Sequence, residues 1–147
     1  MFFFTEILQN YAFWIALAAW FSAQLLKIFF EFLRTRRVRL GLIVSSGGMP
    51  SSHSSISAAV TTAIGLTEGF DSPLFALGAI VTMVVMYDAS GVRRAAGNHA
   101  KAINDLLAHL ENSGVILDKK LKEMLGHTPL EVLAGALLGV VLALILI

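Results

Sequence analysis

The chain has 147 residues, enough for one domain, and is 56% hydrophobic, 14% charged and +0.76 in mean hydropathy. Soluble domains carry about a quarter charged residues, so this composition excludes an ordinary soluble protein and points to a membrane one. A net charge of +1 excludes a generally basic nucleic-acid-binding protein, and the absence of Cys excludes a disulfide framework or a thiolate metal site.

Residues 1–10 have no basic start, and no small-residue cleavage site follows the first apolar run. That run is therefore expected to stay as a helix and not to be removed as a signal peptide. A bilayer core about 30 Å thick takes roughly 20 mostly apolar residues per helix. The first such span is predicted over 11–33, rich in Ala, Leu, Phe and Trp, with Lys27 and Glu31 one turn apart near its end. The second, over 51–70, is rich in Ser and Thr and so is expected to face other helices and not lipid. The third covers 73–90. Residues 91–127 are polar, but Ile103, Leu106, Leu107 and Leu110 recur at helical spacing, which predicts a short amphipathic helix on the membrane surface or against the bundle. The fourth span, 129–147, carries no charge after Glu131. Gly135 and Gly139 in it form a GxxxG pair, suited to close packing within the bundle or to a homo-oligomer.

All eleven Lys and Arg residues fall in two segments. Lys27, Arg34, Arg36, Arg37 and Arg39 form one; Arg93, Arg94, Lys101, Lys119, Lys120 and Lys122 form the other. The connection between the second and third spans holds only Glu68 and Asp71. Four spans put both basic segments on one side, which the positive-inside rule makes cytoplasmic, with both termini outside. The expected fold is a single all-α membrane bundle of four spans plus the amphipathic helix.

Three clusters at the cytoplasmic face carry the residues suited to chemistry. The first is the basic segment from Lys27. The second is Ser45-Ser46-Gly47-Gly48-Met49-Pro50-Ser51-Ser52-His53-Ser54-Ser55. Its glycines permit a tight turn, Pro50 suits an entry turn, and its serines suit an N-cap. A helix N-terminus presents free N–H groups and partial positive charge, a ready site for phosphate. A plain Ser-rich cap fits the same residues. The third runs from Tyr87 to His99 and contains Asp88, Arg93 and Arg94. Guanidinium groups bind phosphate oxygens in pairs, though an Arg pair after a membrane helix also serves as an anchor. A carboxylate such as Asp88 at that depth is a functional candidate, and a salt bridge to Arg93 or Arg94 is its simpler role. Thr128-Pro129-Leu130-Glu131 has the pattern of a capping box, with His127 just before it.

Lys27 to Arg34, Pro50-Ser51-Ser52-His53, and Arg93 to His99 together resemble the signature of the type-2 phosphatidic acid phosphatase and vanadium-dependent haloperoxidase superfamily. Gly-Gly-Met-Pro-Ser-Ser-His-Ser, Tyr-Asp-Ala-Ser-Gly-Val-Arg-Arg-Ala-Ala-Gly and Leu125-Gly126-His127-Thr128-Pro129-Leu130-Glu131-Val132 resemble its small divergent branch. The resemblance implies metal-independent dephosphorylation of a lipid phosphate or pyrophosphate through a phosphohistidine, with no cofactor. It assigns the nucleophile to His99 and the general acid to His53; His127, which should also sit at the inner face, is the alternative. Lys27, Arg34, Ser51, Ser52, Arg93 and Arg94 would hold phosphate, with Asp88 as a further catalytic candidate. The chain departs from the superfamily at Thr35, Ser52 and Val92. It departs also at Ile103, where a ring-orienting Asp is expected four residues after the nucleophilic His. The implied partners are membrane lipid and a phosphorylated lipid substrate, and the implied location is a bacterial inner or cell membrane. Two rivals remain: a non-catalytic protein holding anionic headgroups, and a small channel or transporter component, hinted at by Thr61 and Thr62.

Overall fold

The computed structural model describes residues 2–38, 41, 47–111, 121 and 126–147. Arg39, Ser45, Ser46, Lys119, Lys120, Lys122 and Leu125, all named above, lie outside the described residues. The described chain is all-α: α1 (Phe2–Leu8), α2 (Tyr11–Thr35), α3 (Ser52–Glu68), α4 (Pro73–Ser90), α5 (Val92–Glu111) and α6 (Pro129–Leu146).

Local chemistry sets the helix starts. Asn10, Ser51, Ser72 and Thr128 each turn an extended backbone into a helix and accept an N–H of its first turn on their side chains. Pro73 and Pro129 occupy first-turn positions, where no N–H is missed. α5 is longer than the Ile103–Leu110 pattern implies, because it starts directly after Gly91 and continues α4.

Tyr11–Thr35, Pro73–His109 and Pro129–Leu146 are long and apolar enough to cross a bilayer. They leave Phe21, Leu77, Met83, Val84, Leu137 and Ile145 at least half exposed. A soluble protein does not present apolar surface on that scale, so the protein is an integral membrane protein. The shorter α3 sits at the centre, packed by α2, α4 and α6. Its polarity is absorbed there: Ser55 Oγ donates to the Ala19 carbonyl at 3.1 Å, and Thr82 Oγ1 on α4 donates to the Ser57 carbonyl at 3.0 Å.

The core is made of small side chains. Ala19, Ala59, Ala63 and Ala143 are fully buried, and the largest fully buried side chains are Ser51, Ser54 and Ser55. Membrane helices gain little by hiding apolar bulk from lipid, so they associate through close backbone approach. Gly135 and Gly139 show this directly. A Cβ on Gly135 would strike the Ser51 carbonyl, and one on Gly139 the Ser55 carbonyl. The GxxxG pair is therefore used inside one chain, against α3, and both glycines are buried there. An expected homo-oligomer has to be carried by other residues.

Candidate functional site

α2 and α4 end, and α3 and α6 begin, at the same end of the bundle. Four loop-and-helix junctions therefore meet there. Gly48, at a φ of 94°, turns the chain into α3, and the aliphatic stem of Lys27 passes over it. The Ser51 N–H donates to the Glu131 carbonyl at 2.9 Å, tying the start of α3 to the start of α6. The His127 N–H donates to the Ala89 carbonyl at 2.9 Å, tying the approach to α6 to the end of α4. Gly126, at a φ of 86°, lies so close to the backbone of Arg93 and Arg94 that a Cβ would not fit. This close approach returns the chain, after α5, to the third cluster.

His127 is 2% exposed. Its Nδ1 lies 3.1 Å from Glu131 Oε2, an oxygen that also accepts the Thr128 N–H at 3.0 Å. Glu131 thus does two things: it completes the capping box with Thr128, and it orients the imidazole. Burial draws the His127 ring below its ordinary value of 6.5; Glu131 opposes this, and the charges of Lys27 and Arg93 add to the lowering. In the neutral form of the ring, a proton on Nδ1 faces the carboxylate and Nε2 carries the lone pair. Nε2 is buried and without a hydrogen-bond partner among the described residues.

Around this ring stand the other groups. Lys27 is buried in α2, and among the described residues its hydrogen bond runs from Nζ to Ser52 Oγ at 3.3 Å. Burying an ammonium costs several kcal/mol unless charge or good hydrogen bonds offset it; here the partners are a neutral hydroxyl and, within electrostatic range, the Glu131 carboxylate, which is shared with His127 and Thr128. That leaves the position suited to an incoming anion. Arg93 Nε donates to Asp88 Oδ2 at 2.6 Å, which fixes the guanidinium while leaving its other N–H groups available. His53 lines a cavity of about 260 Å³ with Asp88, Ala89 and Arg93. It lies within electrostatic range of Arg93, His127, Lys27 and Asp88.

The structure therefore brings together Lys27, Ser51, Ser52, His53, Asp88, Arg93 and His127. Of the two parts open to Ser51, the structure shows the cap: it is fully buried, and its hydroxyl caps α3 by accepting from Ser54. Arg34 is exposed, two helical turns beyond Lys27, and makes no hydrogen bond or ion pair among the described residues. Arg94 is likewise exposed and unpaired among them. His99 is exposed on α5, makes no hydrogen bond among the described residues and does not line the His53 cavity. Asn104, next to Ile103, binds the Leu121 backbone through both amide atoms at 2.8 Å. The residue missed from sequence is Glu131 in its second role. Its spacing of four from His127 was visible, but the capping box accounted for it.

Two imidazoles, two cations and two helix N-termini at one end of a membrane bundle can hold and polarise a phosphoryl group. The divergent PAP2 family matches the chain over residues 8–142. An uncharacterized membrane protein of Bacillus subtilis (strain 168), YuiD, is similar at 41% identity over 96% of both chains. No solved structure matches.

Proposed function

The chain belongs to the divergent PAP2 family, and from that premise we propose that it is a phosphatase acting on a membrane lipid phosphate or pyrophosphate at the cytoplasmic face. The observation that carries this reading is the His127 ring, oriented by Glu131 through Nδ1 and presenting a buried, unpartnered Nε2. A group meant only to bind an anion would present a donor there, not a lone pair.

The geometry favours His127 over His99 as nucleophile. The carboxylate expected four residues after the nucleophile is absent after His99, where Ile103 stands, and present after His127 as Glu131. In the first step His127 Nε2 bonds to the terminal phosphorus as its P–O bond to the leaving group breaks (an ester bond in a monophosphate, the anhydride bond in a pyrophosphate), and protonated His53 gives its proton to the leaving oxygen. In the second, neutral His53 takes a proton from water, whose oxygen bonds to phosphorus as the P–N bond breaks and inorganic phosphate leaves. Positioned acid–base catalysis of this kind contributes about 10²–10⁴-fold. Lys27, Arg93 and the Ser52 hydroxyl hold the phosphoryl oxygens, whose charge grows in transfer. Asp88 positions Arg93. α3 supplies the fourth span, so that both basic segments lie in the cytoplasm.

The test is phosphate release by the purified protein in detergent, on phosphatidic acid and isoprenyl diphosphate, with a chelator present. Turnover is expected to persist in chelator, to vanish in His53→Ala and His127→Ala, and to survive in His99→Ala. Turnover on no substrate overturns the phosphatase reading; loss in His99→Ala with survival in His127→Ala overturns the assigned nucleophile.

A further inference from the structure

Among the described residues α2 and α4 each pack extensively on α3, and no comparable packing joins them to one another. A slot is left between them, on the side of α3 away from α6. Its floor is a single stripe of α3. His53, Ile56, Val60, Ile64 and Thr67 recur at intervals of three and four residues, so they share one helix face. His53 opens into the 260 Å³ cavity at one end of this stripe. One turn further along, Ile56, Val60 and Ile64 floor a second cavity of about 740 Å³, walled by Phe13 and Ala16 of α2 and reached by Leu74 of α4. Its far end is polar, at Asn10, Thr67 and Glu68. The stripe from His53 to Thr67 spans about 21 Å at 1.5 Å per residue, most of the depth of one bilayer core.

We propose that this slot is the binding site for one hydrocarbon chain of the lipid whose phosphate sits at the His127 and His53 cluster. The inference rests on the phosphatase reading for the position of the headgroup. The occupant follows from the lining. A groove at bilayer depth holds hydrocarbon or another helix, and a partner helix wants small residues for backbone approach. Here the floor is Ile and Val, whereas the small residues Ser55 and Ala59 lie against Ala19 of α2 and Gly139 of α6, and Gly65 lies against Phe75 of α4. The two cavities have separate linings, but His53 of one and Ile56 of the other are neighbours on the same face of α3, and this shared stripe distinguishes the slot from ordinary lipid-facing surface. A chain lying along it aligns the ester phosphate with the end of the stripe. The polar far end sets a limit on chain length.

The absence of Cys allows a test that leaves folding untouched. Val60→Cys is purified folded and then alkylated with a bulky hydrophobic maleimide, the unalkylated variant serving as control. Two probes are used: phosphatidic acid of short and of long acyl chains for turnover, and long-chain phosphatidic acid carrying a diazirine near one chain end for photocrosslinking. Alkylation is expected to raise KM for the long-chain substrate at least tenfold and to leave short-chain KM unchanged. It is also expected to remove crosslinks from the peptide spanning residues 56–67. Chain-length-independent KM, unaffected by alkylation, overturns the slot, as does crosslinking spread evenly over α4 surface positions such as Leu77 and Met83. The crosslinking arm needs no catalysis. Crosslinks in the slot with no turnover on any substrate therefore overturn the phosphatase reading alone. Crosslinks from the 56–67 peptide of one copy to a second copy, with none to lipid, overturn the lipid as occupant.

Discussion

His127 Nδ1 and Thr128 N share one oxygen of Glu131, at 3.1 and 3.0 Å. A single carboxylate therefore caps α6 and sets the tautomer of the proposed nucleophile. The two duties separate by mutation. Glu131→Gln keeps an acceptor for the Thr128 N–H but no longer holds the His127 proton on Nδ1 by charge. We expect kcat to fall by about 10²–10⁴ with little change in melting temperature. Glu131→Ala removes both and is expected to cost a further ~1 kcal/mol of stability. Phosphate release and thermal unfolding in detergent check the pair.

The pH dependence follows from the same ring. The His127 value lies below 6.5 in the folded protein, so below that pH the unfolded chain binds the proton more readily. Stability from this group is full above 6.5 and is lost as pH falls toward the folded value. The denaturation midpoint should drop across that window in the parent and drop less in His127→Gln. An NMR titration of His127 should give a still lower value in Glu131→Gln, since the raising influence of the carboxylate is gone. A His127 value above 6.5 would contradict the burial argument.

Gly135 is where α6 meets the start of α3. A Cβ there would strike the Ser51 carbonyl, and Ser51 N is the group tied to the Glu131 carbonyl. Gly135→Val is expected to cost about 1–3 kcal/mol by overpacking and to displace the α3 N-terminus from His127. Turnover should fall at temperatures where the fold is still intact. Gly41→Ala, with no atom of the described residues within 4 Å of the added Cβ, should change neither.

Single cysteines in the Cys-free chain test the proposed topology. Asp71→Cys and a C-terminal Cys after Ile147 should react with a membrane-impermeant maleimide from outside intact cells, and Lys101→Cys should not. Labelling of Asp71→Cys and Lys101→Cys from the same side would remove α4 as a span.

Much of the fold is legible in one dimension. Helix placement follows from apolar runs and from caps such as Ser72 with Pro73 and Thr128 with Pro129, which are local chemistry. That all three clusters belong at one end follows from alternating spans and the placement of Lys and Arg. The amphipathic pattern around Leu106 marked α5 but not its start, because continuation through Gly91 depends on backbone geometry that no side-chain period records. The site was legible as a set of residues more than as roles. Lys27, His53 and Arg93 converge as expected. His99, two turns along α5 from Val92, is exposed and does not line the cavity shared by His53 and Arg93.

The sequence by itself determined that this is an all-α membrane protein with basic, serine-rich and histidine-bearing junctions. Those properties depend on composition and local period. Only the tertiary structure decided which histidine meets the junctions. Gly126, lacking a Cβ, settles onto the Arg93–Arg94 backbone, and the His127 N–H binds the Ala89 carbonyl. These contacts join elements separated by the whole of α5, so no local spacing encodes them. They place an imidazole oriented by Glu131 within electrostatic range of Lys27 and Arg93, where the family resemblance assigns His99 and leaves His127 as the alternative.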